Sequence, residues 1–321
     1  MSQKPVLWIT RKLSDNTEKR ATQDYDVILN PNDTLSSADD IVEMSKRVDA
    51  IIPCHSENFD ADVVSRLDSR LKIVANHSVG VDHCALAAFK KRGITVTNTP
   101  DVLSDATAEI AMLLLLGAAR RAAESDKLVR EGRWDSWSPA FMVGTQVTGK
   151  RLGIIGMGNV GQVMARRGRG FDMEIHYHNR RRLSPQLELG AIYHEQMDSL
   201  LGCSDFLSLH CPATPESAGM MDASAFSKLP DGAVLVNTAR GALIDEDALL
   251  AAVESGKLAA AGLDCFRLEP GGNPAFSQYE NIFMLPHIGS ATFETRDAMG
   301  FRALDNLDAF FAGKIPKDKL V

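Results

Sequence analysis

The stretch Gly156-Met157-Gly158-Asn159-Val160-Gly161 decides the fold of this chain. An apolar run at 151–155 precedes it, and a helix-like run at 162–167 follows it. Strand, glycine turn and helix in that order are typical of a dinucleotide-binding fingerprint, in which the glycines allow a tight turn and a close approach to a pyrophosphate. The helix N-terminus offers N–H groups and a partial positive charge to the phosphates. The alternative is a structural turn with no ligand.

The end of the next predicted strand, at 174–178, indicates which cofactor is bound. An NAD site usually carries Asp or Glu about 20 residues past the fingerprint, where it binds the ribose 2′-OH. This chain has Asn179-Arg180-Arg181-Arg182 there, without a carboxylate. Fork-shaped cations suit a 2′-phosphate, so the sequence favours NADP(H) over NAD(H). The alternative is a solvated basic turn.

Length and composition limit the classes of protein. A chain of 321 residues suits two domains, and a net charge of −7 argues against a general nucleic-acid surface. The longest apolar run, 110–119, is too short to span a membrane and indicates a buried helix. The N-terminus has no signal-peptide pattern, so we expect a cytoplasmic protein without a membrane or nucleic-acid partner.

Cysteine and histidine spacing gives no sign of a metal site. The five cysteines are scattered without a C-x-x-C pair, which fits a reducing compartment. The eight histidines show no paired ligand spacing. We therefore expect no bound metal.

Short apolar runs alternate with helix-like segments along the chain, as in parallel sheets covered by helices. The predicted strands are 6–10, 26–29, 49–53, 71–75 and 94–97, then 152–155, 174–178, 206–209, 233–237, 260–264 and 282–285. We also predict a long helix at 104–131 and a last helix at 292–312 that belongs to the first domain. The expected fold is α/β with two doubly wound parallel-sheet domains. A Rossmann cofactor domain (101–291) is inserted in a flavodoxin-like substrate domain (1–100 and 292–321).

Three predicted strand ends carry side chains suited to chemistry, and ligands of open α/β sheets bind beyond such ends. Arg240 can hold a carboxylate through two parallel hydrogen bonds. His287 can donate a proton near neutral pH, and Glu269 could orient the imidazole and stabilise its charged form. Asp264 ends a strand and could meet the cofactor. Taken singly, each has a structural alternative, such as a surface ion pair or a simple turn.

Taken together, the motifs resemble the D-isomer-specific 2-hydroxy-acid dehydrogenases along nearly the whole chain. The resemblance rests on the fingerprint glycines, Asn76-His77-Ser78-Val79-Gly80-Val81-Asp82-His83, Asn237-Thr238-Ala239-Arg240-Gly241, Gly262-Leu263-Asp264-Cys265-Phe266, Glu269-Pro270 and Pro286-His287-Ile288-Gly289-Ser290-Ala291-Thr292. Within the family the chain is most similar to glyoxylate/hydroxypyruvate reductases, through 78–83, 99–103, 133–137 and the arginine-rich turn. Cys265 departs from the family pattern, in which Val is commoner.

The resemblance implies roles for individual residues. His287 would be the acid/base, Glu269 its partner and Arg240 the ligand of the substrate carboxylate and carbonyl, while the backbone at Val79 and Gly80 would hold the carboxylate. The implied cofactor contacts are Thr107, Gly156, Gly158, Asn159, Val160, Gly161, Asn179, Arg180, Arg181, Cys211, Pro212, Thr238, Ala239, Asp264 and Gly289. Among these, Thr107 and Asp264 would face the nicotinamide, and Arg180 and Arg181 the 2′-phosphate.

The expected activity is NADPH-dependent reduction of a small 2-oxo acid, with glyoxylate and hydroxypyruvate as leading substrates. The alternatives are another 2-oxo acid such as a 2-ketoaldonate, phosphite or formate oxidation, and a non-catalytic NADP(H)-sensing corepressor. A sensor would not need Arg240, Glu269 and His287 together. We also expect a homodimer, formed through the apolar helix at 108–119 and the aromatic segment at 134–137. In related dimers Trp134 and Trp137 would lie near the partner's active site, with plain interface packing as the alternative.

Overall fold

The computed structural model describes residues 4–321. The chain divides into two compact units, one running through Leu103 and including Ala291–Val321, the other formed by Ser104–Ser290. The first division thus follows Leu103 rather than residue 100, and the second follows Ser290 rather than residue 291. Each unit contains one wholly parallel sheet covered by helices, which confirms the expected fold class.

The first unit has a five-stranded sheet in the order β2-β1-β3-β4-β5, which is the flavodoxin-like order. Its strands are β1 (Val6–Ile9), β2 (Asp26–Ile28), β3 (Ala50–Ile52), β4 (Ile73–Ala75) and β5 (Thr95–Thr97). Its helices are α1 (Asp15–Asp24), α2 (Ala38–Ser45), α3 (Ala61–Arg66), α4 (Leu86–Arg92) and α12 (Phe293–Phe311).

Helix α12 belongs to the first unit, as the sequence predicts. Thr292 is its N-cap, and the Thr292 hydroxyl accepts a hydrogen bond from the Thr295 amide at 3.1 Å. Leu304 and Leu307 of α12 lie in the same buried cluster as Ile9 of β1. Burial of this apolar face therefore returns the end of the chain to the first sheet.

The second unit has a seven-stranded sheet in the order β12-β11-β10-β9-β6-β7-β8. Its strands are β6 (Arg151–Ile155), β7 (Glu174–His178), β8 (Ile192–Tyr193), β9 (Phe206–Leu209), β10 (Ala233–Asn237), β11 (Leu258–Leu263) and β12 (Ile282–Met284). Its helices are α5 (Ser104–Ala119), α6 (Ala122–Arg130), α7 (Asn159–Arg169), α8 (Pro185–Glu188), α9 (Met197–Leu201), α10 (Ala223–Lys228) and α11 (Glu246–Glu254), with 3₁₀ turns at Gly241–Leu243 and Pro274–Gln278. This is the Rossmann strand order with a seventh strand, and its switch point lies between β6 and β9.

The prediction of one long helix at 104–131 was wrong. Helix α5 ends at Ala119 and α6 begins at Ala122, because Arg121 adopts the left-handed conformation at φ 54°. Most apolar residues of α5 are buried in the core of the second unit, although Leu113 is exposed, whereas no residue of α6 is buried. The two-residue edge strand β8 was also missed, because two residues are too short to show an alternating pattern. Within residues 4–321 no helix is both long and apolar enough to cross a membrane.

Candidate active site

The fingerprint turn follows β6 and is shaped by close backbone contacts. Gly156 has φ 94°, and its amide donates to the His178 carbonyl at 3.0 Å. A Cβ atom on Gly156 would lie 2.5 Å from the Cys211 nitrogen, and one on Gly161 would lie 2.4 Å from the Gly156 oxygen. Both positions therefore require glycine.

Gly158 differs from these two glycines because the space beside it is open. It is the N-cap of the eleven-residue helix α7, and a Cβ atom there would meet nothing within 4 Å. The first-turn N–H groups of an α-helix have no acceptor within the helix. An open cradle at the N-terminus of α7 fits the pyrophosphate of a dinucleotide, which Asn159, Val160 and Gly161 would contact through their backbone.

Asn179, at the end of β7, holds the fingerprint turn. Its side-chain oxygen accepts a hydrogen bond from the Met157 amide at 2.7 Å. This bond ties the strand end, where the sequence predicts the ribose to lie, to the turn expected to bind the pyrophosphate.

The three arginines that follow Asn179 are not equivalent. Arg182 donates two hydrogen bonds to Glu188, at 2.8 and 3.1 Å, and its guanidinium lies over the Tyr193 ring. Arg180 and Arg181 are exposed and have no hydrogen bond or ion pair within residues 4–321, although the Arg180 charge helps to lower the pKa of Glu216. Two guanidiniums therefore remain available to an external anion, and the third belongs to the local structure.

The loop after β9 lies against the fingerprint turn. The Cys211 backbone approaches Gly156 closely, and the Cys211 side chain is half-buried. The carbonyl of Pro212 accepts a hydrogen bond from the Ser217 hydroxyl at 2.9 Å, which closes the loop. Cys211 and Pro212 are therefore placed beside the predicted pyrophosphate position.

The turn after β10 presents Arg240 and is held by Asn237, a residue that the sequence analysis did not assign to the site. The buried Asn237 side chain donates to the Arg240 carbonyl at 2.8 Å and accepts from the Ala239 amide at 2.9 Å. A Cβ atom on Gly241 would lie 1.9 Å from the Phe266 carbonyl carbon. The Arg240 turn thus packs directly on the segment that follows β11. An Asn between a buried strand and a turn is the signal that could have identified Asn237.

Glu269 and His287 form a short polar pair. The imidazole Nδ1 lies 2.5 Å from the Glu269 Oε2, and the Glu269 Oε1 accepts from the Phe266 amide at 2.7 Å. About a quarter of each side chain is exposed, 28% for His287 and 24% for Glu269. His287 has φ 53°, a conformation that few residues other than glycine adopt. Such strained positions are concentrated at functional sites.

Asp264 holds the loop that carries His287. Its two carboxylate oxygens accept from the Ile288 and Gly289 amides, each at 2.8 Å. Burial raises the pKa of Asp264, and these two hydrogen bonds oppose that shift. A Cβ atom on Gly289 would lie 3.2 Å from Asp264 and 3.4 Å from Thr107. The structure therefore brings together Thr107, Asp264 and Gly289, and both oxygens of Asp264 bind backbone of its own unit.

In the first unit, the loop at Val79 and Gly80 is fixed through its carbonyls. Asn98 donates to the Val79 carbonyl and Ser78 to the Gly80 carbonyl, each at 2.8 Å. The Val79 and Gly80 amides donate no hydrogen bond to any atom of residues 4–321. These two amides are therefore available to an anion such as a carboxylate.

Comparison with known proteins identifies the family. The family model "D-isomer specific 2-hydroxyacid dehydrogenase, NAD binding domain" matches residues 112–289. A glycerate dehydrogenase from Hyphomicrobium methylovorum is 43% identical over 315 residues, which cover 98% of each chain. The chain belongs to the D-isomer-specific 2-hydroxyacid dehydrogenases.

Solved structures agree with this assignment. A structure from Polaromonas assigned to the NAD-binding D-isomer-specific 2-hydroxyacid dehydrogenases matches with a TM-score of 0.94 and 44% identity over 99% of both chains. An NADPH-dependent glyoxylate/hydroxypyruvate reductase from Sinorhizobium meliloti, in complex with NADP and malonate, matches with a TM-score of 0.87 and 30% identity. That match covers 99% of this chain and 97% of the other.

Proposed function

We propose that this dehydrogenase reduces small 2-oxo acids with NADPH, and that glyoxylate and hydroxypyruvate are its leading substrates. The observation that carries the proposal is the 2.5 Å pair between Glu269 and His287, in the same unit as the fingerprint turn. Support also comes from the related glycerate dehydrogenase and from the similar glyoxylate/hydroxypyruvate reductase.

The cofactor would be held by the fingerprint turn and by the basic turn after β7. The open cradle at Gly158 would take the pyrophosphate, and the exposed Arg180 and Arg181 would bind the 2′-phosphate. When bound, the reduced nicotinamide supplies a hydride to the carbonyl carbon of the 2-oxo acid. Thr238 and Ala239 would line the cofactor site after β10.

His287 would deliver the proton that reduction requires. Its Nδ1 bonds to Glu269, so Nε2 is the ring nitrogen that would protonate the carbonyl oxygen. The Glu269 carboxylate would orient the imidazole ring for that transfer. Asp264 would act indirectly, as a positioning residue, because it fixes the backbone immediately after His287.

Arg240 would bind the substrate carboxylate and stabilise negative charge as it develops on the carbonyl oxygen. The Val79 and Gly80 amides would supply further hydrogen bonds to the carboxylate. A carboxylate bound by Arg240 would favour a 2-oxo acid over a simple aldehyde or ketone.

The test is a substrate panel followed by loss of NADPH absorbance. Glyoxylate, hydroxypyruvate, a 2-ketoaldonate and a neutral aldehyde are each assayed with NADPH and with NADH, and His287→Gln serves as the inactive control. The proposal expects turnover of the first two substrates and no turnover of the aldehyde. Tight NADPH binding without turnover of any 2-oxo acid would instead favour the non-catalytic corepressor.

We also propose a homodimer, with an interface that uses less of the apolar helix than the sequence suggested. Most apolar residues of α5 are core residues of the second unit, with Leu113 exposed, so most of that helix cannot supply an interface. The segment after α6 carries exposed apolar side chains instead, with Trp134 57% and Trp137 75% exposed. Light scattering at micromolar protein tests the assembly, and a monomer mass for the wild-type chain would contradict it. Replacing both tryptophans with Ser should yield monomers.

A further inference from the structure

A cluster of three potential metal ligands lies in the second unit and contains none of the residues assigned above. His176 belongs to β7, His194 follows β8 and Cys203 precedes β9. One ligand atom from each lies within 4.8 Å of the other two. His176 is buried, and the other two side chains are partly buried. Three separate segments thus converge on one point.

The distances within the cluster are close to those of a tetrahedral zinc site. The Cys203 Sγ lies 3.5 Å from the His176 Nδ1 and 3.7 Å from the His194 Nε2, and the two nitrogens lie 2.9 Å apart. With Zn–N near 2.05 Å and Zn–S near 2.3 Å, tetrahedral geometry requires about 3.6 Å between N and S and about 3.3 Å between the nitrogens. Both N–S distances agree to about 0.1 Å, and the nitrogens need separate only by about 0.4 Å.

Of the two remote ring nitrogens, that of His194 is placed as in known metal sites, and that of His176 has a carboxylate nearby. A ligating histidine usually donates its other N–H to an oxygen that orients the ring. The His194 Nδ1 lies 2.8 Å from the Ser199 hydroxyl, and the His176 Nε2 lies 3.6 Å from the Glu174 carboxylate. The His176 Nε2 is buried without a hydrogen bond. Ligation through both near nitrogens would place a proton on each remote nitrogen, facing these oxygens.

The Cys203 thiol would have to lose its proton for an ion to bind. The thiol donates to the Leu200 carbonyl at 3.2 Å. Metal binding would break that hydrogen bond, form an S–metal bond and release the thiol proton to solvent.

We propose that His176, His194 and Cys203 bind one zinc-class divalent ion, with water as the fourth ligand. Two imidazoles and one thiolate are donors that a borderline-soft ion prefers to a hard one. The ion would connect β7 to the segments that flank β8 and β9. This differs from the expectation, based on histidine spacing, that the chain binds no metal.

The test is a titration of the chelator-treated full chain with Co²⁺ and then with Zn²⁺. We expect one Co²⁺ per chain with a visible tetrahedral spectrum and a thiolate-to-cobalt band, both removed by Zn²⁺. About one proton should be released per ion. Zn²⁺ should also raise the melting temperature of the wild-type chain. If the wild-type chain bound Co²⁺ without a thiolate-to-cobalt band, that result would overturn the proposal without the need for any variant.

Variants locate the site. Loss of an outer-shell partner typically weakens metal binding by about 10- to 100-fold, and Ser199→Ala should weaken Zn²⁺ binding by about 10-fold. Cys203→Ser and His176→Gln remove a ligand itself and should weaken Zn²⁺ binding by more than about 100-fold. Cys211→Ser, which removes another partly buried thiol of the same unit, should leave the affinity unchanged. His287→Gln should also bind normally, and loss of binding there would place the ion at the active-site pair instead. An unchanged thiolate band in Cys203→Ser would refute the site.

Discussion

Replacing Arg180 and Arg181 with Ala should abolish NADPH preference while leaving NADH turnover almost unchanged. Both side chains are exposed and without a hydrogen bond or ion pair in the described chain, so their removal breaks no such bond and affects only the field of Arg180 on the Glu216 carboxyl. Each hydrogen bond to a charged group contributes about 1.5–3 kcal/mol, and solvent screening at exposed side chains favours the lower end.

A loss of about 1.4–2.8 kcal/mol corresponds to a 10- to 100-fold drop in kcat/KM, since each 1.4 kcal/mol is a factor of ten. The assay compares kcat/KM for NADPH and NADH at fixed saturating 2-oxo acid. The effect should appear mainly as a higher KM for NADPH. It should shrink as ionic strength rises, because salt screens exposed charges.

Arg182→Ala is the matched control from the same turn. The Arg182 guanidinium and the Tyr177 hydroxyl hold the pKa of Glu188 below its usual range, so this arginine serves the local fold. Its loss should lower the melting temperature and leave the NADPH/NADH ratio unchanged. Equal kcat/KM for the two cofactors in the wild type would refute the reasoning. If only Arg182→Ala lost the preference for NADPH, the assignment of the 2′-phosphate to Arg180 and Arg181 would be wrong.

The other predictions concern the acid/base pair and its supporting loop. In Glu269→Gln the His287 ring loses the carboxylate that orients it through Nδ1, so kcat should fall more than NADPH affinity; an unchanged kcat would show that the pair is not coupled. His287→Gln should reduce kcat by about 10²- to 10⁴-fold, with NADPH affinity by fluorescence titration unchanged. Asp264→Asn replaces one acceptor oxygen by a donor facing a buried amide, which should cost about 1–3 kcal/mol in the free energy of unfolding and lower kcat more than NADPH affinity. A wild-type unfolding curve for Asp264→Asn would contradict the loop assignment.

Much of the second unit could be predicted from the sequence because its central strands are buried on both faces. Strands β7, β9 and β10 have the predicted bounds, since each is a short run of apolar or alternating residues. The break between α5 and α6 could not be predicted from periodicity, because Arg121 in the left-handed conformation carries no clear sequence signal. The order of the strands in each sheet could not be predicted from the local sequence pattern either, since it depends on contacts between distant segments.

The candidate site shows the same division. Spacing alone places His287 and Glu269 at strand ends, but the 2.5 Å contact between them depends on how the chain packs between two residues 18 positions apart. The difference between Arg182 and its two neighbours depends on Glu188, which no motif connects to the turn. The cluster of His176, His194 and Cys203 has no recognised ligand spacing, because its members come from three separate segments.

Three polar side chains at or just beyond strand ends fix the backbone of neighbouring loops. The sequence alone did not distinguish this role from ligand binding. Asn179 after β7, Asn237 at the end of β10 and Asp264 after β11 each bond to the backbone of a neighbouring loop. The carboxyl ends of parallel strands meet where the ligand binds, so the loops there need side chains that fix their backbone as well as side chains that contact substrate. Asp264 is assigned to the cofactor by resemblance, yet both of its oxygens are used by the loop after His287. Its effect on reduction would therefore pass through the position of His287, which a change in kcat without a matching change in cofactor affinity can reveal.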